Sequence, residues 1–341
     1  MQMSQMENTS DLEGLNVTAR DVEILRGLFE SRILTVDQIA ALYFEDRQEA
    51  ARKRVWKLKK AHLVRERPRR AYEPAMLFLS QKAFRHLIEQ GHISDYPKLS
   101  TAAYEKRTRV SALTLRHEIE VNDVKAAFAK AVRIANLLQL AQFSTWPTLF
   151  QFWGYTRRGQ RVRVQPDGFL RIRQGDEEYS FFLEVDRSSE SHWRIAEKIE
   201  CYLDFYRRGG LALRNGRPKN DYKEFPFRVL VIFRNAERRN NAAERLIAHQ
   251  PSILSIVALT TIDEVRTDPL GPIWIRPRDY RDAIRGTSYD GIPASDLAIY
   301  RRSPQRDVWI EKKVIHHILI ESFIAHDRPD TQVPLAPHFF S

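Results

Sequence analysis

Val22, Leu25, Leu28 and Phe29 recur at steps of three and four, the spacing of one face of an α-helix. Thr18 stands ahead of this run with Asp21 three places on, a capping-box start. A second run, Ile39, Leu42 and Tyr43, opens the same way with Thr35 and Gln38. A third occupies "QEAARKRVWKLKKAHLV", with Ala51, Val55, Leu58 and Ala61 as its apolar stripe. Two short strands follow, at 63–67 and 75–79, joined by a basic loop, and then a helix in "SQKAFRHLIEQG" that ends at Gly91. Three helices, a hairpin and a closing helix predict a winged helix-turn-helix over 15–91. Residues 1–14 read as a polar, disordered tail.

Periodicity is weak from 92 to 110, beside Gly91 and Pro97, which predicts a linker. "TLRHEIEVNDVKAAFAKAVR" then predicts a long helix with His117, Val121, Val124, Phe128 and Ala131 on one face. His117 reads as a core histidine, and Glu118 and Asn122 share a different face. Further on, "VRVQPDGFLRIR" and "EYSFFLEVDR" predict strands, and "SSESHWRIAEKIECYLDFYRRG" a helix with Ile195, Ile199, Tyr202 and Tyr206 turned inward. After a basic, Gly-rich loop, "PFRVLVIF" reads as a buried strand, "NAERRNNAAERLIAHQ" as a helix, and "ILSIVALTTIDEV" as a strand and turn. This order predicts a mixed-sheet α/β domain over 111–275, so the whole chain is α/β in class (α+β overall). Residues 276–341 read as an extension with an irregular stretch and a helix, "VWIEKKVIHHILIESFIAHD". Homodimerisation through that helix is left open. The adjacent His316 and His317 point about 100° apart on a helix and read as structural.

Charge changes this picture locally. Lys and Arg total 55 against 44 Asp and Glu in 341 residues, a formal net charge of +11. Between Arg47 and Arg70 there are eleven Lys or Arg and two acids, so nine of the eleven net charges lie there. Such a concentration points to a polyanion, and on a recognition helix and wing to double-stranded DNA. Arg52, Lys53, Arg54, Lys57, Lys60, Arg69 and Arg70 are the expected contacts. The alternative is a solvated face on a protein-interaction module. Cys201 is the only cysteine, which excludes an intrachain disulfide and a cysteine-based zinc site. No apolar run reaches the roughly 18 residues of a membrane span, and the first residues lack the pattern of a secretory signal, so a cytoplasmic protein is expected. No phosphate-binding glycine loop or nucleophile elbow is present.

The candidate chemistry lies in "QPDGFLRIRQGDEEYSFFLEVDRSS". Asp167 precedes Glu184 by sixteen intervening residues, and Glu184 and Asp186 share a strand face. If the two strands form a hairpin, Asp167 joins them near one edge. Clustered carboxylates of this kind suit Mg²⁺ or Mn²⁺, which take oxygen ligands and activate water. The stretch resembles a PD-(D/E)xK nuclease centre: Pro166-Asp167, then Glu184-Val185, but with Asp186 where that motif has lysine. Either Lys198, on the border of the following helix's inward stripe, takes the lysine's place, or the site does not cut DNA. A third reading is a solvated, charged strand end.

The winged helix, the "LRHEIEVNDV" helix, "PDG", "FFLEVDR", Lys198 and Tyr202 together resemble the replication-relaxation family over about 15–265. The resemblance implies bacterial DNA work in plasmid or mobile-element replication and relaxation, with replication or mobilisation proteins as partners. It also implies that Asp186 is a family feature. Two functions follow as expectations. One is a DNA-binding protein with a restriction-endonuclease-like domain, in which Asp167 and Glu184 hold the metal, Asp186 assists and Lys198 positions water. The other is a non-catalytic DNA-binding accessory factor or transcriptional regulator on a degenerate nuclease-like scaffold.

Overall fold

The computed structural model describes residues 11–12, 15–69, 73–109, 111–146, 148–187, 191–285 and 317–320. The chain divides into two compact units, the first Met1–Lys130 with Ser144–Leu149, the second Ala131–Phe143 with Phe150–Ser341.

In the first unit, β1 (Asp11–Leu12) pairs with β2 (Leu15–Asn16), so part of the span expected as disordered tail is a strand. Helix α1 (Ala19–Ser31) follows, then β3 (Leu34–Thr35), α2 (Val36–Tyr43) and α3 (Gln48–Lys60). Both predicted capping boxes form, Thr18 with Asp21 and Thr35 with Gln38. They satisfy the amide groups that a helix start leaves without partners. Strands β4 (Val64–Glu66) and β5 (Met76–Leu79) make the predicted hairpin, Val64 opposite Leu79. The two-residue β3 adds to β5 as a third strand that the apolar pattern is too short to reveal. Helix α4 (Gln81–Glu89) closes this part, and Leu25, Leu28, Phe29, Ile39, Val55, Leu58, Leu79 and Phe84 fill one core.

The span expected as a linker is instead built into this unit. Residues Thr101–Thr108 form α5, capped by Ser100. Tyr104 is buried, stacks on Phe84 with ring centroids 4.2 Å apart, and donates its hydroxyl to the Leu79 carbonyl at 2.6 Å. Arg107 donates to the Phe29 and Glu30 carbonyls at the C-terminus of α1, where a cation offsets the helix dipole. Burial pushes its guanidinium down to about 9. Helix α6 (Ala112–Ile134) likewise gives its first part to this unit. Its buried Asn122 donates to the Ile33 carbonyl at 2.9 Å, Lys125 pairs with Glu30 at 3.3 Å, and Glu118 pairs with Arg32 at 3.0 Å. Glu118 and Asn122 therefore hold α1 and the turn after it.

The second unit is a five-stranded mixed sheet. Its strands are β6 (Gln139–Ser144), β9 (Gly168–Gln174), β10 (Glu177–Asp186), β11 (Phe227–Phe233) and β12 (Val257–Thr261), in the order β12-β11-β10-β9-β6. Strands β9 and β10 form the predicted antiparallel hairpin, while β10, β11 and β12 run parallel. The fully apolar β11 is buried along its whole length, as a central parallel strand requires. A separate hairpin, β7 (Phe152–Tyr155) with β8 (Arg161–Val164), precedes β9. Helix α7 (His192–Arg207) is capped by Ser191, and Ile195, Ile199, Tyr202 and Tyr206 are buried as predicted. Next come α8 (Gly210–Arg214), a 3₁₀ turn at Lys219–Glu224, α9 (Ala236–Ala248), α10 (Ile262–Thr267), β13 (Pro272–Trp274) and α11 (Pro277–Arg285). One core joins Phe182, Phe169, Tyr202, Tyr206, Val229, Val231 and Leu246.

The helix expected at the C-terminal end is not what its described residues form. His317–Ile318 is β14, antiparallel to β13, and Leu319 and Ile320 are buried. The rest of that expected helix, His316 included, lies outside the described residues.

Candidate functional site

The basic stretch of the first unit separates into inward and outward groups. Positions 52, 53, 56, 57 and 60 of α3 lie outward, while Ala51, Val55 and Leu58 are buried. Arg52, Lys53, Lys57 and Lys60 are exposed side by side. Among them stands Trp56, 60% exposed, with the Lys60 ammonium 5.4 Å from its ring centre. Sequence reasoning counted charges on this face and passed over the tryptophan, although its place between two basic pairs was visible.

Arg54, expected as a DNA contact, is only partly exposed. Its guanidinium forks onto the buried Asp21, with Nε to Oδ1 at 2.6 Å, and reaches the Asn16 carbonyl at 2.9 Å. The hydrogen bond that Arg54 donates to Asp21 raises the Arg54 pKa. Arg54 thus ties α3 to the capping box of α1. At the hairpin, Glu66 takes Lys59 and also Arg69, at 2.9 Å, and its carboxyl is lowered chiefly by the Lys59 hydrogen bond. Arg69 also donates to the Glu73 carbonyl at 2.8 Å, and Arg70 lies outside the described residues.

In the second unit, the strand order brings the predicted acids together. The Asp167 amide donates to the Leu183 carbonyl at 3.0 Å, and its Oδ2 accepts the Val185 amide at 2.8 Å, which fixes Asp167 beside the end of β10. Glu184 faces α7 from the same side of the strand as Phe182. Its Oε2 accepts from Lys198, and its Oε1 from the Tyr202 hydroxyl at 2.5 Å. Lys198 therefore leans back over the strand as the helical spacing predicted. Burial pushes the Glu184 carboxyl up to about 7; Lys198 opposes that shift and Asp167 adds to it. Burial also lifts the Tyr202 hydroxyl well above its ordinary value, so it stays a donor to Glu184.

Asp186 shares the face of Glu184 but has a different partner. Arg238, at the start of α9, holds both of its oxygens, with Nη2 to Oδ1 at 3.0 Å. The register explains the pairing, since Asp186 lies opposite Phe233, the last residue of β11, and the chain turns there into α9. No spacing along the sequence pointed to Arg238.

A Mg²⁺ or Mn²⁺ ion needs several carboxylate or water oxygens. Here both Glu184 oxygens and both Asp186 oxygens already hold protein donors. Among the described residues no three His, Cys, Asp or Glu side chains gather as a metal-holding group. In this arrangement the two carboxylates are engaged by separate neighbouring side chains. Two pairs result, Glu184 with Lys198 and Asp186 with Arg238. Among the described residues, too, no helix is long and apolar enough to cross a membrane.

No curated protein and no solved structure matches the chain. The model of one family does match, over residues 25–217, more than half of the sequence. That segment carries α3, Asp167, Glu184, Asp186, Lys198 and Tyr202, whereas Arg238 lies beyond it. On that match the chain belongs to the replication-relaxation family.

Proposed function

We propose that this protein is a double-stranded DNA-binding factor of plasmid or mobile-element replication and relaxation, and that its second unit is a non-catalytic, nuclease-like scaffold. The observation that carries the reading is the outward face of α3, where Arg52, Lys53, Lys57 and Lys60 are exposed together. The order α1-β3-α2-α3-β4-β5 supports a winged helix-turn-helix, with α3 as recognition helix and β4-β5 as wing. Four adjacent cations suit phosphates across a groove and set affinity more than sequence preference.

For the second unit, a mixed sheet with acids at the end of its central hairpin supports a likeness to the PD-(D/E)xK scaffold. The paired carboxylates favour its use without cleavage. A metal-dependent nuclease is the second reading, and the reach of Lys198 to Glu184 is what favours it. Supercoiled plasmid incubated with the protein and Mg²⁺ or Mn²⁺ separates the two. The proposal expects retardation of the plasmid with no nicked or linear product. Nicking that disappears in both Asp167→Ala and Glu184→Ala would establish the nuclease instead.

A further inference from the structure

The β7-β8 hairpin of the second unit presents a surface that none of the preceding assignments uses. Alternation along β7 turns Phe152 and Gly154 inward and leaves Trp153 and Tyr155 outward, 48% and 39% exposed. Gly154 makes this possible. A Cβ there would lie 2.6 Å from the Cys201 side chain and 2.8 Å from its carbonyl, so the strand rests directly on α7. The inward side is thereby fixed, and the outward rings stand on a supported platform.

Arginines frame those rings. Across the hairpin, Trp153 lies opposite Arg163 and Tyr155 opposite Arg161. The Arg161 guanidinium sits 4.2 Å from the centre of the Trp153 ring, and that of Arg208, from the end of α7, 4.9 Å from Tyr155. A third exposed ring, Trp193, has Arg158 at 5.5 Å. The nearby Asp204 accepts the Tyr155 amide at 3.0 Å and pairs with Arg208 at 3.5 Å.

Exposed aromatic rings cost free energy in water, and a surface of rings alone would suit an apolar partner. Rings alternating with guanidinium planes suit a partner that offers both flat π-faces and negative charge. Unpaired bases on a phosphate backbone supply both. Duplex DNA offers the charge but keeps its base faces stacked within the helix. We propose that the outward face of the β7-β8 hairpin binds single-stranded DNA, with bases stacking on Trp153 and Tyr155 and Arg161, Arg163 and Arg208 meeting the phosphates. The hairpin belongs to the second unit and α3 to the first, and the inference does not depend on duplex binding by α3.

Fluorescence anisotropy of the full chain with labelled oligo(dT), and with a duplex of equal length, tests this. Trp153→Ala/Tyr155→Ala should weaken oligo(dT) binding by about tenfold or more while shifting duplex binding by about twofold at most. Trp153→Phe/Tyr155→Phe, which keeps the rings, should retain most of the oligo(dT) affinity. Arg52→Ala/Lys57→Ala should show the opposite preference, losing duplex more than oligo(dT). Unchanged oligo(dT) binding in the double alanine variant overturns the proposal. Equal losses on both DNAs overturn it as well, because they would make the hairpin a general polyanion patch. So does a phenylalanine variant as weak as the alanine one, since the loss would then follow from the fold. Unchanged duplex binding in Arg52→Ala/Lys57→Ala would count against the role given to α3 and leave the hairpin proposal standing.

Discussion

Arg52 and Arg54 lie two positions apart on one helix and do different work. Arg52 faces solvent, where its contact with Glu49 at 3.5 Å is an exposed pair of little consequence for stability. Arg54 compensates a carboxylate that has no access to water. Arg54→Ala should therefore lower the unfolding free energy by about 3 kcal/mol, the cost of a buried charge left without its partner. Arg52→Ala should leave thermal unfolding nearly unchanged and act on DNA affinity. Chemical denaturation of both variants checks the contrast. The sequence showed eleven cations but could not sort them, because burial of Asp21 depends on how α1 and α3 pack. At the second cluster the sign of the pH effect is unusual for a carboxylate. The folded protein keeps Glu184 protonated up to about 7, against 4.5 for the ordinary group, so it holds a proton that the unfolded chain releases. This contribution to stability is present below about 4.5 and is lost as pH rises to about 7. Glu184→Gln should flatten the stability profile across that window, measured by denaturant midpoints at a series of pH values. A profile with the wild-type slope would contradict the burial assigned to Glu184.

At the scale of elements, long periodic segments were legible and short or singly anchored ones were not. The stripes of α1, α2, α3 and α7 gave both the helices and their buried faces. Helix α5 escaped because Tyr104 is its one buried side chain, and one apolar residue makes no period. Its attachment rests on that ring and on Arg107 reaching the end of α1. Tyr104→Ala should accordingly cost about 3 kcal/mol, readable in the same denaturation experiment. A flexible linker would show almost no change. The β7-β8 hairpin was hidden for a different reason. "FWGYTRRGQRVRV" mixes rings and cations, and only the packing of Gly154 against Cys201 decides which side is outward. Gly154→Ala should destabilise the second unit by about 1–3 kcal/mol through overcrowding of backbone and side chain. The acid cluster was half legible: alternation placed Glu184 and Asp186 on one face and helical spacing aimed Lys198 at it. Arg238 comes from a segment 52 residues further on and is delivered by parallel pairing of β10 with β11.

For the molecule as a whole, charge is distributed so that the first unit carries the local excess, while in the second unit the cluster acids are matched by Lys198 and Arg238. This pattern assigns electrostatic attraction to α3 and cohesion to the acids. The most direct measurement is the salt dependence of duplex DNA affinity for the full chain and for Arg52→Ala/Lys53→Ala/Lys57→Ala. If these side chains sit on phosphates, the log–log slope of affinity against salt should fall by about 0.9 for each contact removed, between two and three in all. A slope that stays at the wild-type value would contradict the placement of DNA on this face.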